Sequence, residues 1–204
     1  MRLESRPGAL DDLAATDERV VVLEGLETVR TELAQGCLRS WDVLADRSPG
    51  ATFFQRSVWA TCWYEAYADE WEPIVLVALA GGEVIGLAPM GRHRRSGRLT
   101  FAGELMADYR DLVVVPTAQD AAIPLLAEAM LDLSGGEFVI GPTDEGSVTV
   151  RVLTQSAGRS RPWWGQLRTD PCWRVELSAE SVAAVERKQS VRRADDRYYR
   201  RFRP

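Results

Sequence analysis

Two apolar runs separated by a pair of glycines constrain this chain more than any other feature. Trp71–Leu79 (WEPIVLVAL) and Glu83–Met90 (EVIGLAPM) are each long enough for a strand, and Gly81-Gly82 between them supply the positive φ angles of a tight hairpin turn. The first arm is apolar almost without interruption. A strand with one wet face alternates, so this run predicts burial on both faces and a central place in a sheet. β-branched and apolar stretches predict further strands at 19–26, 98–102, 111–115, 137–141 and 172–177.

Helical periodicity fills the intervals. Leu26, Val29, Leu33, Cys37, Trp41 and Leu44 recur at steps of three and four, which predicts an amphipathic helix ended by Ser48-Pro49-Gly50. A second helix follows Ala51–Phe54, with Ser57 available as a cap and Trp59, Cys62, Trp63, Ala66 and Tyr67 on one face. Residues 120–133 predict a third, whose Pro124 must sit in the first turn or bend the helix. A fourth is expected near 146–157, and a basic helix from about Ser181 onward. Strands and helices alternate around a definite hairpin, so the expected class is α/β or α+β, a mixed sheet flanked by helices. Residues 1–18 read as a loose leader, 19–178 as the folded lobe and 179–204 as a basic connector helix or the truncated start of a second lobe.

Composition excludes several functions. With 46% hydrophobic residues, 204 residues can fill a core without staples. Cys37, Cys62 and Cys172 are few and widely spaced, which argues against a disulfide scaffold, and His93 is the only histidine, so no metal centre is expected. No apolar run is long enough to span a bilayer and no secretory signal opens the chain, so a cytoplasmic protein without membrane insertion is expected. The net charge of −5 conceals a split. From Arg187 onward eight basic residues face Asp195 and Asp196, a balance of +6 that leaves the preceding 186 residues at −11. Clustered arginine attracts phosphate, but an acidic body repels a polyanion and no nucleic-acid motif accompanies the tail, so nucleic acid is not the expected partner.

Residues that can carry chemistry concentrate before one strand. Met106–Val115 (MADYRDLVVV) places Asp108, Tyr109, Arg110 and Asp111 at its edge, where an Asp/Tyr pair can bind or deprotonate an amine or hydroxyl. The alternative is a turn, with Asp as a local cap and Arg110 paired to a carboxylate. The aromatic helical face, with Trp59 and Trp63, can stack on a ligand or simply build core. Arg92, His93, Arg94, Arg95 and Arg98 can grip a phosphate or carboxylate, or lie solvated in a loop. Trp163-Trp164 suit a lid or an interface anchor.

Taken in order, WDVL (41–44), SPGATFFQ (48–55), SVWATCW (57–63), VIGLAPM (84–90), FAG (101–103) and DYRDL (108–112) form a succession. It resembles the CelD-like, FemAB-related branch of the GNAT acyltransferases, a family associated with cellulose or exopolysaccharide biosynthesis. The resemblance runs from about residue 20 to 200. It implies a GNAT-like mixed sheet, one lobe of a tandem pair, with acyl-CoA expected on the second lobe and a basic helix like 185–202 joining the two. Gln155–Ser160 (QSAGRS) approximates the loop that cradles the coenzyme A pyrophosphate. Ser160 stands where Gly or Ala is wanted, however, and Arg161-Pro162-Trp163 follow where a helix should begin, so the segment reads as a chance match.

Two readings follow. In the first, the protein transfers an acetyl or other acyl group from acyl-CoA to a small-molecule or saccharide acceptor, with Asp108, Tyr109 and Asp111 as catalytic candidates and Trp59, Trp63 and Arg110 binding substrate. In the second, it is a non-catalytic single-lobe binding module or remnant that homodimerises or pairs with a separate second lobe.

Overall fold

The sheet of this protein is built outward from its hairpin. A computed structural model describes residues 18–134, 138–141, 143, 147, 149–153, 178–180 and 183–184. Strand β2 (Trp71–Ala80) turns through Gly81 and Gly82, at φ +57° and +84°, into antiparallel β3 (Glu83–His93). Two successive positive φ values are what side chains with a Cβ resist, and glycine removes that cost. β1 (Arg19–Glu24) pairs antiparallel with the other edge of β2, which makes β2 interior as its apolarity requires. Two short strands share the far edge of β3. β4 (Leu99–Phe101) lies opposite Met90–Arg92 and β5 (Val113–Val114) opposite Gly86 and Leu87, both antiparallel. β6 (Phe138–Val139) adds parallel to β4, so the sheet is mixed and the fold is of the α+β class.

Alternation along β2 sends its side chains into two cores. Trp71, Val75, Val77 and Leu79 face α1 (Leu26–Gln35), α2 (Trp41–Arg47) and α3 (Ser57–Ala66), whereas Ile74, Leu76 and Ala78 face α4 (Gln119–Leu133). All seven are buried, and each of the larger aliphatic ones contributes about 1.5–3 kcal/mol by leaving water. Trp63 lies so close on β3 that a side chain at Gly91 would start 2.8 Å from its ring. Only glycine permits that approach.

Local chemistry moved several expected boundaries. The stripe from Leu26 to Leu44 is not one helix. It breaks at Gly36, where Glu32 folds over to accept the Cys37 amide (2.9 Å), and resumes through a 3₁₀ turn, Cys37–Ser40, before α2. Ser57 does not cap α3 by its own side chain. Asp42 reaches across from α2, accepting the Ser57 amide at 2.9 Å and its hydroxyl at 2.6 Å. The buried stripe of α3 is also rotated from the expected face, comprising Ala60, Trp63 and Tyr64, while Cys62 and Ala66 are exposed and Trp59 is half-buried. Pro124 lies beyond the first turn of α4 and points to solvent.

The chain divides into two compact units, Met1–Trp163 and Trp164–Pro204. In the second, the described residues Ala179, Glu180, Ala183 and Ala184 are helical and exposed. The leader before Glu18, the QSAGRS segment, Trp163-Trp164, the expected strand at 172–177 and the basic tail lie outside the described residues. Among the described residues no helix is long and apolar enough to cross a membrane, and no group of three His, Cys, Asp or Glu is placed to hold a metal ion.

Candidate functional site

Strands β4 and β5 are two halves of one line along β3, interrupted by the excursion 102–112. The cause is visible in β3. The Pro89 carbonyl accepts the Ala102 amide (2.9 Å), so this edge of Pro89 faces the departing chain, and proline has no N–H to return the second bond of the pair. The ladder stops there and the chain leaves the sheet. It does so at Gly103, whose φ of +99° and whose crowding exclude other residues: a Cβ would sit 2.5 Å from Ala107 Cβ and 2.9 Å from Trp59 Nε1.

The excursion carries all four residues of the DYRD motif. Their environments differ. Asp108 and Tyr109 are exposed at the rim; Tyr109 holds a left-handed φ of +53°, which costs about 1 kcal/mol in a residue with a Cβ. Buried Gln55 donates from Nε2 to the Tyr109 carbonyl and so holds that turn. Gln55 is itself fixed: its Oε1 accepts from Thr52 N (2.6 Å) and Thr52 Oγ1 (2.8 Å), and its carbonyl takes the Trp41 indole N–H (2.7 Å). Asp111 is half-buried and engaged at both oxygens, accepting Leu112 N (2.7 Å) on one and the Ser147 hydroxyl (2.7 Å) on the other. Ser147 in turn accepts the Val150 amide (3.2 Å), which starts the helical residues 149–153. Asp111, holding the Leu112 amide, thus takes the local capping role of the turn alternative.

Arg110 is 3% exposed. Its Nη1 donates to Thr100 Oγ1 at 3.3 Å, and the Thr100 hydroxyl donates in turn to the Val139 carbonyl (3.2 Å). Among the described residues, the carboxylate partner that the turn alternative gives Arg110 is replaced by a long bond to a hydroxyl. Burial lowers the guanidinium pKa to about 10, against a smaller upward pull from Glu104 and Asp108. Arg98 is the better-compensated cation. It pairs with Glu104 and lies 5.5 Å over the Trp71 ring.

Aromatic side chains complete this end of the fold. Trp63 is 5.4 Å from Trp71 and 5.9 Å from Tyr67, and the Tyr67 hydroxyl meets Met106 Sδ at 3.3 Å. Trp63 is buried core, while half-buried Trp59 meets Phe54 at 5.0 Å and Phe53 at 5.8 Å. Phe53, which packs on Trp59, is exposed, as are Val58 on α3 and Met106 and Tyr109 on the excursion. Four donors here are shut from solvent without an acceptor: Trp59 Nε1, Trp63 Nε1, Arg98 Nε and Arg110 Nε. Each such group costs about 1–3 kcal/mol, so their grouping at one end of the sheet is the strongest mark of a site in the described residues.

The basic run after the hairpin is mostly occupied. Arg92 pairs with Glu24 (3.3 Å), Arg94 pairs with Glu72 and donates to the Ala68 carbonyl (2.9 Å). His93 accepts the Ser96 amide on Nδ1 (3.1 Å) and turns Nε2 toward Glu70 (3.5 Å). These contacts favour a structural loop over a phosphate grip.

Of the residues singled out in the sequence, Asp108, Tyr109, Arg110 and Asp111 lie on the excursion and Trp59 and Trp63 on α3, Trp59 against Gly103 and Trp63 against Gly91. Sequence reasoning missed Gln55, Gly103 and Glu104. Pro89 inside an apolar run was the available signal, because proline in a strand marks a broken edge. No protein-family model matches the chain, and no curated protein is found as a relative.

Proposed function

We propose that this protein acts in acyl transfer, presenting an amine or hydroxyl acceptor at the excursion between β4 and β5. The observation that supports the reading is an anchored loop that carries exposed Asp108 and Tyr109 next in sequence to buried Arg110, whose Nε has no acceptor among the described residues. The acceptor lone pair attacks the thioester carbon of acyl-CoA, a C–N or C–O bond forms, the C–S bond breaks and coenzyme A leaves as thiolate. The acceptor proton passes to Asp108, Tyr109 or water. Asp111 serves as a positioning residue because both of its oxygens are engaged. No described residue is assigned to acyl-CoA.

The test is calorimetry with acetyl-CoA together with thiol release in the presence of small amines, hydroxy compounds and saccharides. Saturable heat and acceptor-dependent release are expected, with Asp108→Asn slowing release about 10²-fold or more. Absence of heat at millimolar acetyl-CoA overturns an autonomous enzyme.

A second reading, a binding module that self-associates without catalysis, draws on exposed Phe53, Val58, Met106 and Tyr109. It expects a dimer on sizing with light scattering. A monodisperse monomer defeats it.

A further inference from the structure

The four unpartnered donors are joined through named contacts rather than scattered. Trp59 Nε1 stands 2.9 Å from where a side chain at Gly103 would begin, and the next residue, Glu104, pairs with Arg98. Arg98 covers Trp71, which packs on Trp63, and Arg110 bonds Thr100 of β4, two residues after Arg98 in the chain. Indole and guanidinium nitrogens donate and cannot accept. A hydroxyl or an amine can turn to suit either role, but a site of donors alone selects a group that only accepts.

The open guanidinium edge narrows the class further. Glu104 pairs with Arg98 and Asp108 stands at the solvent rim, and although both carboxylates lie near enough to act on Arg110, neither occupies its Nε. Thr100 takes Nη1 of Arg110 and leaves the Nε side of its guanidinium, the edge that forks onto two coplanar oxygens. We propose that Arg110, with Arg98, Trp59 and Trp63, recognises the carboxylate of a small organic acid. This rests on the acyl-transfer reading for the word acceptor: the acid carries its amine or hydroxyl elsewhere, as amino acids and hydroxy acids do. The aromatic group formed by Phe53, Phe54 and Trp59 favours an apolar substituent on that acid. Entry requires the turn at 103–109 to lift, and its positive φ angles at Gly103, Glu104 and Tyr109 place the bends.

The test is titration of the ¹⁵N-labelled full chain, following its seven tryptophan indole signals, with phenyllactate, phenyllactamide and inorganic phosphate as probes. Trp59→Phe and Trp63→Phe assign two of those signals. Phenyllactate is expected to shift both saturably at millimolar concentration, and the amide to bind about tenfold more weakly or worse, since it offers a donor where the site wants an acceptor. Absence of a shift, or equal response to the amide, overturns the proposal; a phosphate response equal to phenyllactate's overturns the carboxylate in favour of a general anion site. Arg110→Lys keeps the charge but loses the fork, and is expected to weaken phenyllactate about tenfold. Should that variant melt early, Trp59→Phe, which keeps an aromatic ring but loses the indole N–H, is expected to weaken phenyllactate binding while the remaining indole signals stay at their folded positions; unweakened binding by this folded variant overturns the role of Trp59. Phenyllactate binding without acyl transfer leaves this inference standing and defeats the acyltransferase reading. Transfer to a neutral amine without a phenyllactate response does the reverse.

Discussion

Asp111 and Asp108 are three residues apart and chemically unlike. Leu112 N and the Ser147 hydroxyl occupy both oxygens of Asp111, whereas Asp108 stands at the exposed rim. Asp111→Ala is therefore expected to cost about 1–2 kcal/mol in urea unfolding, through two lost hydrogen bonds. Asp111→Asn should keep turnover close to that of the parent, and a loss matching that of Asp108→Asn would return Asp111 to the catalytic group. Cysteines offer a second contrast. Burial, reinforced by Glu32, pushes the Cys37 thiol up to about 11 from 9.0, while Cys62 is exposed. The folded state keeps this proton where the unfolded chain loses it. Its stabilisation is thus complete below pH 9.0 and is lost as the pH rises through about 11, a fall that Cys37→Ala should flatten in unfolding curves. Iodoacetamide near neutrality should label Cys62 ahead of Cys37, read by peptide mass spectrometry.

At the scale of elements, the excursion is held from three sides: by Gln55 from the turn before α3, by Ser147 from the segment after β6, and by the close packing of Gly103 on Trp59. Gly103→Ala meets both a left-handed φ and two contacts below 3.0 Å, and is expected to cost about 2–4 kcal/mol. Gln55→Ala strips the Tyr109 carbonyl and both Thr52 donors of their partner and should cost about 2–3 kcal/mol. Asp42→Ala removes the borrowed cap of α3, at about 1–2 kcal/mol. In each case thermal or urea unfolding gives the cost, and a change below about 0.5 kcal/mol would show that the named contact carries no weight.

For the molecule as a whole, stability should be graded from hairpin to excursion. β2 and β3 share the longest ladder and line both cores, so their amides should exchange with deuterium slowest among residues 18–134, and those of 102–112 among the fastest. Equal protection of the two regions would refute the picture of a rigid sheet whose site is held by side chains outside the strand ladder.

Legibility followed the range of the interaction. The hairpin, the interior place of β2 and the extent of α4 were readable because glycine φ preference, apolar continuity and helical period act within a few residues. The break at Gly36, the rotated face of α3 and its cap from Asp42 were not. Each depends on a partner that the fold brings in, Glu32 onto the Cys37 amide or Asp42 across from α2, and on which ring finds space over Gly91. The site divides the same way. The order of residue types along DYRDL was plain in the sequence, and it named the chemistry available. Which carboxylate stays exposed, which arginine is buried over a threonine, and which indole N–H groups are left unpartnered were decided by the Pro89 break and the packing around Gly103, because desolvation and hydrogen-bond satisfaction belong to neighbours in space.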